Sequence, residues 1–298
     1  MNKSRGESSF RALSPVKKRL PKKYKVGHTG TLDPFADGLL ICMVGSYTKL
    51  TEFAHALPKT YTAELKLGEQ TDTLDPSGTI IRKCQKQIVL DTNIVLEVFE
   101  RFTGEICQIP PAYSAIHING KRAYERAIAG ESFDMPTRNV TIHSLQLIRT
   151  IPPNTIQFRV SCSTGTYIRT LAADIAEALD TCGYLSCLTR NSIGQFSLAD
   201  AIDPGLLQSD EHHLSRYIRE GSAVYSAVTG NPAITVKNEF IPSFSAGKQI
   251  RHHWFVTPLA KGLHTGVFTE SGNLIGQIKS QNHQNPVYDF VVPTVQGH

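Results

Sequence analysis

Several features that define common protein classes are missing from this 298-residue sequence. No apolar run is long enough to cross a bilayer, and no charged-then-apolar leader opens the chain, so we expect a cytoplasmic protein without a membrane partner. The six cysteines form no C-x-x-C pair and are followed by no histidine pair at zinc-finger spacing. We therefore expect reduced, mostly structural thiols and no metal.

The scaffolds of several enzyme classes are also missing. The sequence contains no G-x-S-x-G elbow, no Walker loop and no G-x-G-x-x-G turn. A hydrolase of the α/β type and a nucleotide-cofactor enzyme both lack their motifs, so no cofactor is expected.

Basic charge is concentrated at the start of the chain. The net charge is +5, yet residues 1–30 hold nine Lys and Arg residues against Glu7 alone, which leaves the remainder slightly acidic. Such a cluster suits a polyanion, because each neutralised phosphate releases condensed counterions. A solvated basic segment without a partner is an equally good interpretation of the charge, which also does not separate RNA from DNA.

Hydrophobic periodicity predicts several strands. The apolar run 39–44 indicates a buried strand, and residues 61–67 and 156–162 alternate between apolar and polar side chains as half-buried strands do. An Asn-Gly pair at 119–120 predicts a hairpin within an otherwise irregular stretch from 104 to 150.

Helical spacing appears between these strands. Asp91 can cap a helix whose apolar stripe is Ile94, Val95, Val98, Phe99 and Phe102. Further helices are expected at 123–129 and between Gly165 and Gly183. Strands and helices in this irregular order favour an α+β fold with a mixed, largely antiparallel sheet.

The length and the pattern along the chain predict two domains. Residues 203–230 are polar and resemble a connector. Short β-like runs separated by Gly, Pro and Asn follow in residues 234–298, as in a small all-β domain.

Four acidic residues could carry chemistry: Asp33, Asp37, Asp72 and Asp75 lie in two loops rich in glycine and threonine. Oxygen-rich loops can hold magnesium, but neither loop has the spacing of an EF-hand. A metal-free mechanism is the better hypothesis, because an aspartate is ionised at neutral pH and attacks as a nucleophile when a cation orients it.

The segment GHTGTLDPFADGLLICMVG (27–45) resembles the signature loop of the TruB family of pseudouridine synthases. Later segments resemble the family in the same order: GSYTK (45–49), KTYTAELKLGEQTDTLDPSG (59–78), IPPAYSAIHINGKRAYERAIAG (109–130), GTYIRTLAADI (165–175) and LTRNSIGQFSLADAI (188–202). The resemblance implies the pseudouridine synthase fold and isomerisation of uridine 55 in the T-loop of tRNA.

It also implies a domain plan. Residues 1–230 correspond to the catalytic domain, with an insertion at about 104–138 that grips the tRNA T-arm, and residues 234–298 correspond to a PUA-like RNA-binding domain. The T-arm of tRNA is the partner so implied, and we expect a monomer that needs no protein partner.

Residue by residue, the resemblance implies three catalytic roles. Asp33 matches the catalytic aspartate, Tyr61 the tyrosine that stacks on the flipped base and assists proton removal, and Arg169 the arginine that pairs with the nucleophile. Without the family these would be one of four loop acids, a strand tyrosine and a surface arginine.

Four further matches imply contact with the substrate. Tyr167 and Leu188 would line the base pocket, His28 would enter the RNA where the uridine leaves, and Lys49 would contact a phosphate. Taken alone, a helix-start tyrosine, a core leucine, a solvated histidine and a surface lysine are the ordinary interpretations.

The chain departs from the family pattern at three places. The strand that normally precedes the N-terminal motif is missing, so we expect either a misassigned start codon or an open sheet edge. Asp37 replaces a common threonine, and Thr189 stands where a basic residue is common.

Two rival functions are also compatible with the sequence. A tRNA-binding or tRNA-folding chaperone without chemistry fits the basic segment equally well but does not need Asp33, Tyr61 and Arg169 together. An enzyme acting on DNA bases is the second rival, and it does not explain the T-arm insertion.

Overall fold

A computed structural model describes residues 1–84, 90–118, 120–208, 214–259, 264–280 and 286–292. The chain forms two compact units. The first comprises Met1–Ala12, Thr31–Leu40 and Ala56–Ala201, and the second comprises Leu13–Gly30, Ile41–His55 and Ile202–His298. The domain boundaries expected from the sequence, 1–230 and 234–298, stay a prediction.

The strands and helices are as follows in chain order. The strands are β1 (Asn2–Lys3), β2 (Val26–His28), β3 (Asp37–Leu39), β4 (Cys42–Val44), β5 (Lys59–Leu67), β6 (Glu69–Thr71), β7 (Ile80–Lys83), β8 (Gly104–Gln108), β9 (His117–Ile118), β10 (Lys121–Arg122), β11 (Arg138–Ile151), β12 (Thr155–Cys162), β13 (Gly183–Ile193), β14 (Phe196–Ser197), β15 (Ala233–Thr235), β16 (His264–Phe268), β17 (Leu274–Lys279) and β18 (Val287–Val291). The α-helices are α1 (Ser9–Ala12), α2 (Ser14–Arg19), α3 (Thr51–Ala56), α4 (Thr92–Arg101), α5 (Ala123–Ile128), α6 (Ile168–Ala178), α7 (Ser222–Thr229) and α8 (Ile241–Ser245). Short 3₁₀ turns lie at Gly45–Leu50, Leu198–Asp200, Pro204–Gln208, Leu214–Arg216, Asn238–Phe240 and His252–Trp254.

The first unit is built on one sheet with the strand order β1-β3-β13-β5-β12-β11-β8, and β14 pairs with β13. Strands β3 and β13 run parallel, and the other neighbours on this path are antiparallel. The expected α+β fold with a mixed, largely antiparallel sheet is confirmed. Asn2 pairs with Leu39 and Lys3 with Gly38, so the two-residue β1 is the last described strand on this side of the sheet. The open sheet edge expected from the sequence stays a prediction.

Strand β5 lies at the centre of this sheet. Its odd-numbered residues are buried and its even-numbered residues are half-buried, as the alternation in the sequence predicted. Leu65 and Leu67 join the apolar face of α6, represented by Leu171 and Ile175, in one core cluster. Burying each of these side chains contributes about 1.5–3 kcal/mol, so α6 is held firmly on the sheet.

Helix α4 forms largely as predicted. Asp91 accepts hydrogen bonds from the backbone N–H groups of Asn93 and Ile94, which is an N-cap. Val95 and Phe99 are buried, but Ile94 is 50% exposed, so it does not belong to the core stripe.

Other expectations were wrong or incomplete. The run 39–44 is not one strand: it is split between β3, in the first unit, and β4, which pairs with β2 in the second. The long strands β11 and β13 were not predicted. Both contain register shifts, and each extra residue moves the apolar side chains to the opposite face and so breaks their alternation.

The second unit contains the sheet β15-β16-β17-β18, which confirms a small β-rich unit near the C-terminal end. The segment taken as a connector includes α7, whose Tyr225 is fully buried. The Tyr225 ring packs on Gly266, where a Cβ would lie 2.7 Å from the ring, and its hydroxyl donates to Gln277 Oε1 at 2.7 Å. Within the described ranges, no helix is both long and apolar enough to cross a bilayer.

We predict that Asp174→Asn in α6 stabilises the protein at high pH. Burial raises the pKa of Asp174 to about 6, and the nearby charge of Glu177 adds to the rise. Because the folded pKa lies above the ordinary value of about 3.9, this residue favours folding below pH 4 and loses that contribution as the pH rises through 6. Urea unfolding should show the variant about 1 kcal/mol more stable than wild type at pH 8, after allowance for solvent screening, and about a third as much at pH 4.5.

The exposed Asp200→Asn substitution serves as the control and should not stabilise the protein at pH 8. Equal stability of wild type and Asp174→Asn at both pH values would contradict the burial argument.

Candidate active site

The loop that carries Asp33 is clamped on both sides by the N-terminal segment. The Ser9 hydroxyl accepts from the Leu32 N–H at 2.8 Å and donates to the Leu32 carbonyl at 3.0 Å. The Gly6 N–H donates to the Pro34 carbonyl at 2.8 Å. Because the backbone is fixed immediately before and after Asp33, the carboxylate has a defined direction.

Arg169 lies in the first turn of α6. The side chain of Gln108, 1% exposed, accepts from the Tyr167 N–H at 3.1 Å and donates to the Tyr167 carbonyl at 3.4 Å, which fixes the start of the helix. A cation at a helix N-terminus opposes the helix dipole, whereas carboxylates there are favoured. Asp33 and Asp75 both approach Arg169 at this end, so they offset the unfavourable position of the guanidinium.

Asp33 and Arg169 form an ion pair through both carboxylate oxygens. Arg169 Nη2 donates to Asp33 Oδ1 at 3.3 Å, and Nε lies 2.9 Å from Oδ2. The Nε contact is electrostatic, because its N–H does not point along a hydrogen bond. The Arg169 side chain is 5% exposed and that of Asp33 is 33% exposed, so one face of the carboxylate is open to solvent.

The surroundings of Asp33 contain groups that raise its pKa and groups that lower it. Burial raises the pKa of Asp33 despite the exposed face, Arg169 lowers it, and the neighbouring Asp75 raises it further. The arginine therefore holds the charged form in place against the cost of desolvation.

Arg169 has three further acceptors. Nη1 lies 3.5 Å from Asp75 Oδ2 and donates to the Thr73 carbonyl at 2.9 Å, and Nη2 donates to the Tyr113 carbonyl at 3.0 Å. Asp75 was one of the four candidate acids and Tyr113 falls within the predicted insertion at about 104–138, but neither was expected to contact Arg169. The sequence does contain a pattern that could have singled out Asp75, because a threonine and a serine lie two residues before and after it and can donate to its carboxylate. No such pattern marks Tyr113, because it contacts Arg169 through its backbone carbonyl, which every residue type has.

Tyr61 and Leu188 lie on neighbouring strands of the same sheet. Tyr61 is 9% exposed, is paired in register with Val160 and Arg190, and belongs with Leu188 and Leu32 to one apolar cluster. Burial raises the pKa of the Tyr61 phenol, and Arg190 acts against the rise. An aromatic ring and an apolar side chain thus share a cluster with the residue that precedes Asp33.

Tyr167 immediately precedes α6, two residues before Arg169. It is half-buried, and the guanidinium of Arg138 stands 5.4 Å from the centre of its ring. This distance is within the range of a cation–π contact, which fixes the orientation of the ring.

His28 and Lys49 belong to the second compact unit and not to the one that holds Asp33. His28 ends β2, which pairs with β4. Lys49 lies in the 3₁₀ turn Gly45–Leu50, and its Nζ is 5.4 Å from the centre of the Phe290 ring. Their contacts with RNA stay a prediction.

Asp37 and Thr189, the two residues that depart from the family pattern, contact each other. Thr189 Oγ1 donates to Asp37 Oδ1 at 2.5 Å, and Arg5 Nε lies 2.6 Å from Asp37 Oδ2. Asp72 accepts the Thr79 N–H at 2.8 Å. Protein donors therefore hold the carboxylates of Asp37 and Asp72, and among the described residues no three His, Cys, Asp or Glu side chains gather as ligands.

Solved structures are similar to this chain in fold, and a family model matches its sequence. The chain aligns over 99% of its length, with a TM-score of 0.67 and 19% identity, with 84% of a chain in "Structure of H/ACA RNP bound to a substrate RNA containing 2'-deoxyuridine". It aligns equally well, at 21% identity over 98% of this chain and 84% of the other, with a chain in "Crystal Structure of a Cbf5-Nop10-Gar1 Complex". These likenesses show a shared fold. The model of the TruB family of pseudouridylate synthases, N-terminal domain, matches residues 17–168, and the chain belongs to this family.

Relatives within the family are similar over most of the chain. The protein is 36% identical over 276 residues to tRNA pseudouridine synthase B of Clostridium kluyveri, covering 93% of this chain and 92% of the relative. It is 43% identical over 203 residues to tRNA pseudouridine synthase B of Borreliella burgdorferi (strain ZS7), covering 67% of this chain and 71% of the relative.

We predict that Arg169→Met lowers the free energy of unfolding by about 3 kcal/mol, because it leaves Asp75 buried and Asp33 half-buried without a cation. Thermal and urea unfolding measure the loss. The matched control is Arg82→Met, which removes a pair with Glu177 in which both side chains are 49% exposed, and it should lower the stability far less because solvent screens this pair. Equal effects of the two substitutions would contradict a buried ionic centre at Arg169.

Proposed function

We propose that this protein is a tRNA pseudouridine synthase that isomerises uridine 55 in the T-loop, with Asp33 as its covalent nucleophile. The observation that carries the proposal is the two-oxygen pairing of Asp33 with the buried guanidinium of Arg169. Asp33 lies in the signature loop of a chain that belongs to the TruB family.

The geometry suits an isomerisation in which no group enters or leaves overall. The Asp33 carboxylate forms a temporary covalent bond with the uridine, and the bond between N1 and C1′ breaks. The uracil turns, C5 bonds to C1′, and the bond to Asp33 breaks, which regenerates the carboxylate. The proton on C5 is removed and N1 gains a proton, so the overall composition of the nucleotide is unchanged. Arg169 keeps the carboxylate ionised and fixes its direction, which is how an arginine activates a metal-free nucleophile.

Tyr61, Leu188 and Tyr167 would receive the flipped base. Removing a base from its stack costs a few kcal/mol, and an aromatic surface returns part of this cost. Tyr61 combines a buried ring with a phenol, so it can stack on the base and also assist removal of the C5 proton.

The tRNA is proposed to be held mainly outside this pocket. Residues 104–138 would grip the T-arm, His28 would fill the place left by the uridine, Lys49 would contact a phosphate, and residues 234–298 would act as a PUA-like domain. We propose that the reaction takes place in the cytoplasm. We propose that the protein works as a monomer without an obligate protein partner.

The substitution Asp33→Asn should abolish tritium release from tRNA labelled at uridine C5, because the neutral amide is not a nucleophile. The affinity for tRNA should stay within about tenfold of wild type, or roughly 1.4 kcal/mol. Asp200→Asn is the control and should release tritium at the wild-type rate. Full turnover by Asp33→Asn would refute covalent catalysis by this residue, and a wild type that binds tRNA without turnover would favour the chaperone alternative.

The pH dependence of kcat/KM should show an acid limb above the ordinary aspartate value of about 3.9, because burial raises the pKa of Asp33 and only the ionised form attacks. Activity therefore falls as the pH drops through the raised pKa. Arg169→Lys replaces a two-pronged donor with a single ammonium group, which weakens the effect that lowers this pKa, so the acid limb should move to higher pH. An acid limb that stays in place or moves to lower pH in this variant would contradict the role of Arg169.

A further inference from the structure

The loop between β6 and β7 presents Asp75 to Arg169 with one oxygen already occupied. Asp75 is 5% exposed. Its Oδ1 accepts the Thr73 hydroxyl at 2.8 Å, the Ser77 N–H at 2.9 Å and the Ser77 hydroxyl. Three donors on one oxygen fix the plane of the carboxylate.

The other oxygen of Asp75 is left for the arginine. Oδ2 lies 3.5 Å from Arg169 Nη1, and the same nitrogen donates to the Thr73 carbonyl at 2.9 Å. Thr73 therefore contacts both members of this pair, with its hydroxyl on Asp75 and its carbonyl on Arg169. Asp75 and Thr73 together set the position of the Nη1 end of the guanidinium, whose other nitrogens face Asp33.

The loop is shaped independently of the arginine. A Cβ on Gly78 would lie 2.3 Å from Asp72 Oδ1 and 2.3 Å from Thr73 Oγ1, so the turn admits only glycine without rearrangement. Leu74 adopts φ 59°, and its carbonyl accepts the Leu185 N–H of β13 at 3.1 Å. The loop thus holds its own conformation and is tied to the strand that carries Leu188.

We propose that Thr73 and Ser77 are positioning residues for the isomerisation: their hydroxyls orient Asp75 so that it holds Arg169, and Arg169 in turn orients the nucleophile Asp33. This inference rests on the proposed function. It differs from a purely structural role, because it requires the chemistry at Asp33 to respond when the hydroxyls are removed.

The experiment compares loss and retention of each hydroxyl. Thr73→Val with Ser77→Ala removes both, whereas Thr73→Ser with Ser77→Thr keeps both, and Ser77 is exposed enough to accept the extra methyl group. The matched control is Thr103→Val, because the Thr103 hydroxyl donates to the Phe99 carbonyl at 3.0 Å at the end of α4, in the same unit. Tritium release gives kcat, KM and the acid limb, and NMR follows hydrogen exchange of the Arg169 Nε–H in protein labelled with ¹⁵N-arginine.

Without the hydroxyls, kcat should fall about tenfold or more, as expected for a slightly misplaced catalytic group. KM should stay within about threefold, since substrate binding does not use these residues. The acid limb should move to higher pH, and exchange of the Arg169 Nε–H should become faster. The hydroxyl-retaining pair and Thr103→Val should behave like wild type in all four measurements.

Two results would overturn the proposal: an unchanged kcat in the hydroxyl-free variant, or a lower kcat with an unmoved acid limb and unchanged Arg169 exchange. The second result would assign the hydroxyls to loop stability alone. If the hydroxyl-free variant does not fold, the single substitutions Thr73→Val and Ser77→Ala are measured against the same criteria. A wild type without turnover would refute the proposed function instead, and the Arg169 exchange would still report whether the hydroxyls position the guanidinium.

Discussion

The Arg169 guanidinium carries a permanent charge while its side chain is 5% exposed. Removing such a cation from water costs several kcal/mol unless acceptors replace the lost solvent. Here two carboxylates and two backbone carbonyls do so, supplied by Asp33, Asp75, Thr73 and Tyr113. The four acceptors come from three separate parts of the chain: the signature loop, the β6–β7 loop and the segment after β8. The ionic centre therefore requires these three segments to assemble with α6, which carries Arg169.

This requirement explains why much of the first unit serves to hold backbone in place. Ser9 and Gly6 fix the loop around Asp33, Gln108 fixes the start of α6, and Leu185 ties the β6–β7 loop to β13. None of these residues is acidic or basic. Their hydrogen bonds set the directions in which the charged side chains meet, and orientation within a fraction of an ångström is what a nucleophile requires.

The sequence predicted the parts of the fold that depend on local patterns. The alternation in β5 and the Asp91 cap on α4 are each encoded within about ten residues, and both formed as expected. Strands β11 and β13 were not predicted, because their register shifts break the two-residue alternation of apolar and polar side chains. The split of residues 39–44 between two units depends on which distant strands they pair with, and local hydrophobicity does not contain this information.

The site also contains some features that could be predicted from the sequence and others that could not. Asp33, Tyr61 and Arg169 were named through the family resemblance, and the structure places Asp33 against Arg169 and Tyr61 in the adjoining apolar cluster. The contacts of Arg169 with the carbonyls of Thr73 and Tyr113 could not be predicted from the sequence, since any residue type supplies a carbonyl. The contact between Asp37 and Thr189 was also hidden, although both positions stood out as departures, because their adjacency follows from the parallel pairing of β3 with β13.

The central claim, that Asp33 attacks the uridine, is tested most directly by trapping the covalent intermediate. A tRNA carrying 5-fluorouridine at position 55 has no C5 proton to lose, so the reaction should stop with RNA attached to the protein. After nuclease and trypsin digestion, mass spectrometry should locate the attached nucleotide on Asp33 within the peptide 26–49, and Asp33→Asn should give no adduct. An adduct on another residue, or one that persists in Asp33→Asn, would contradict the account.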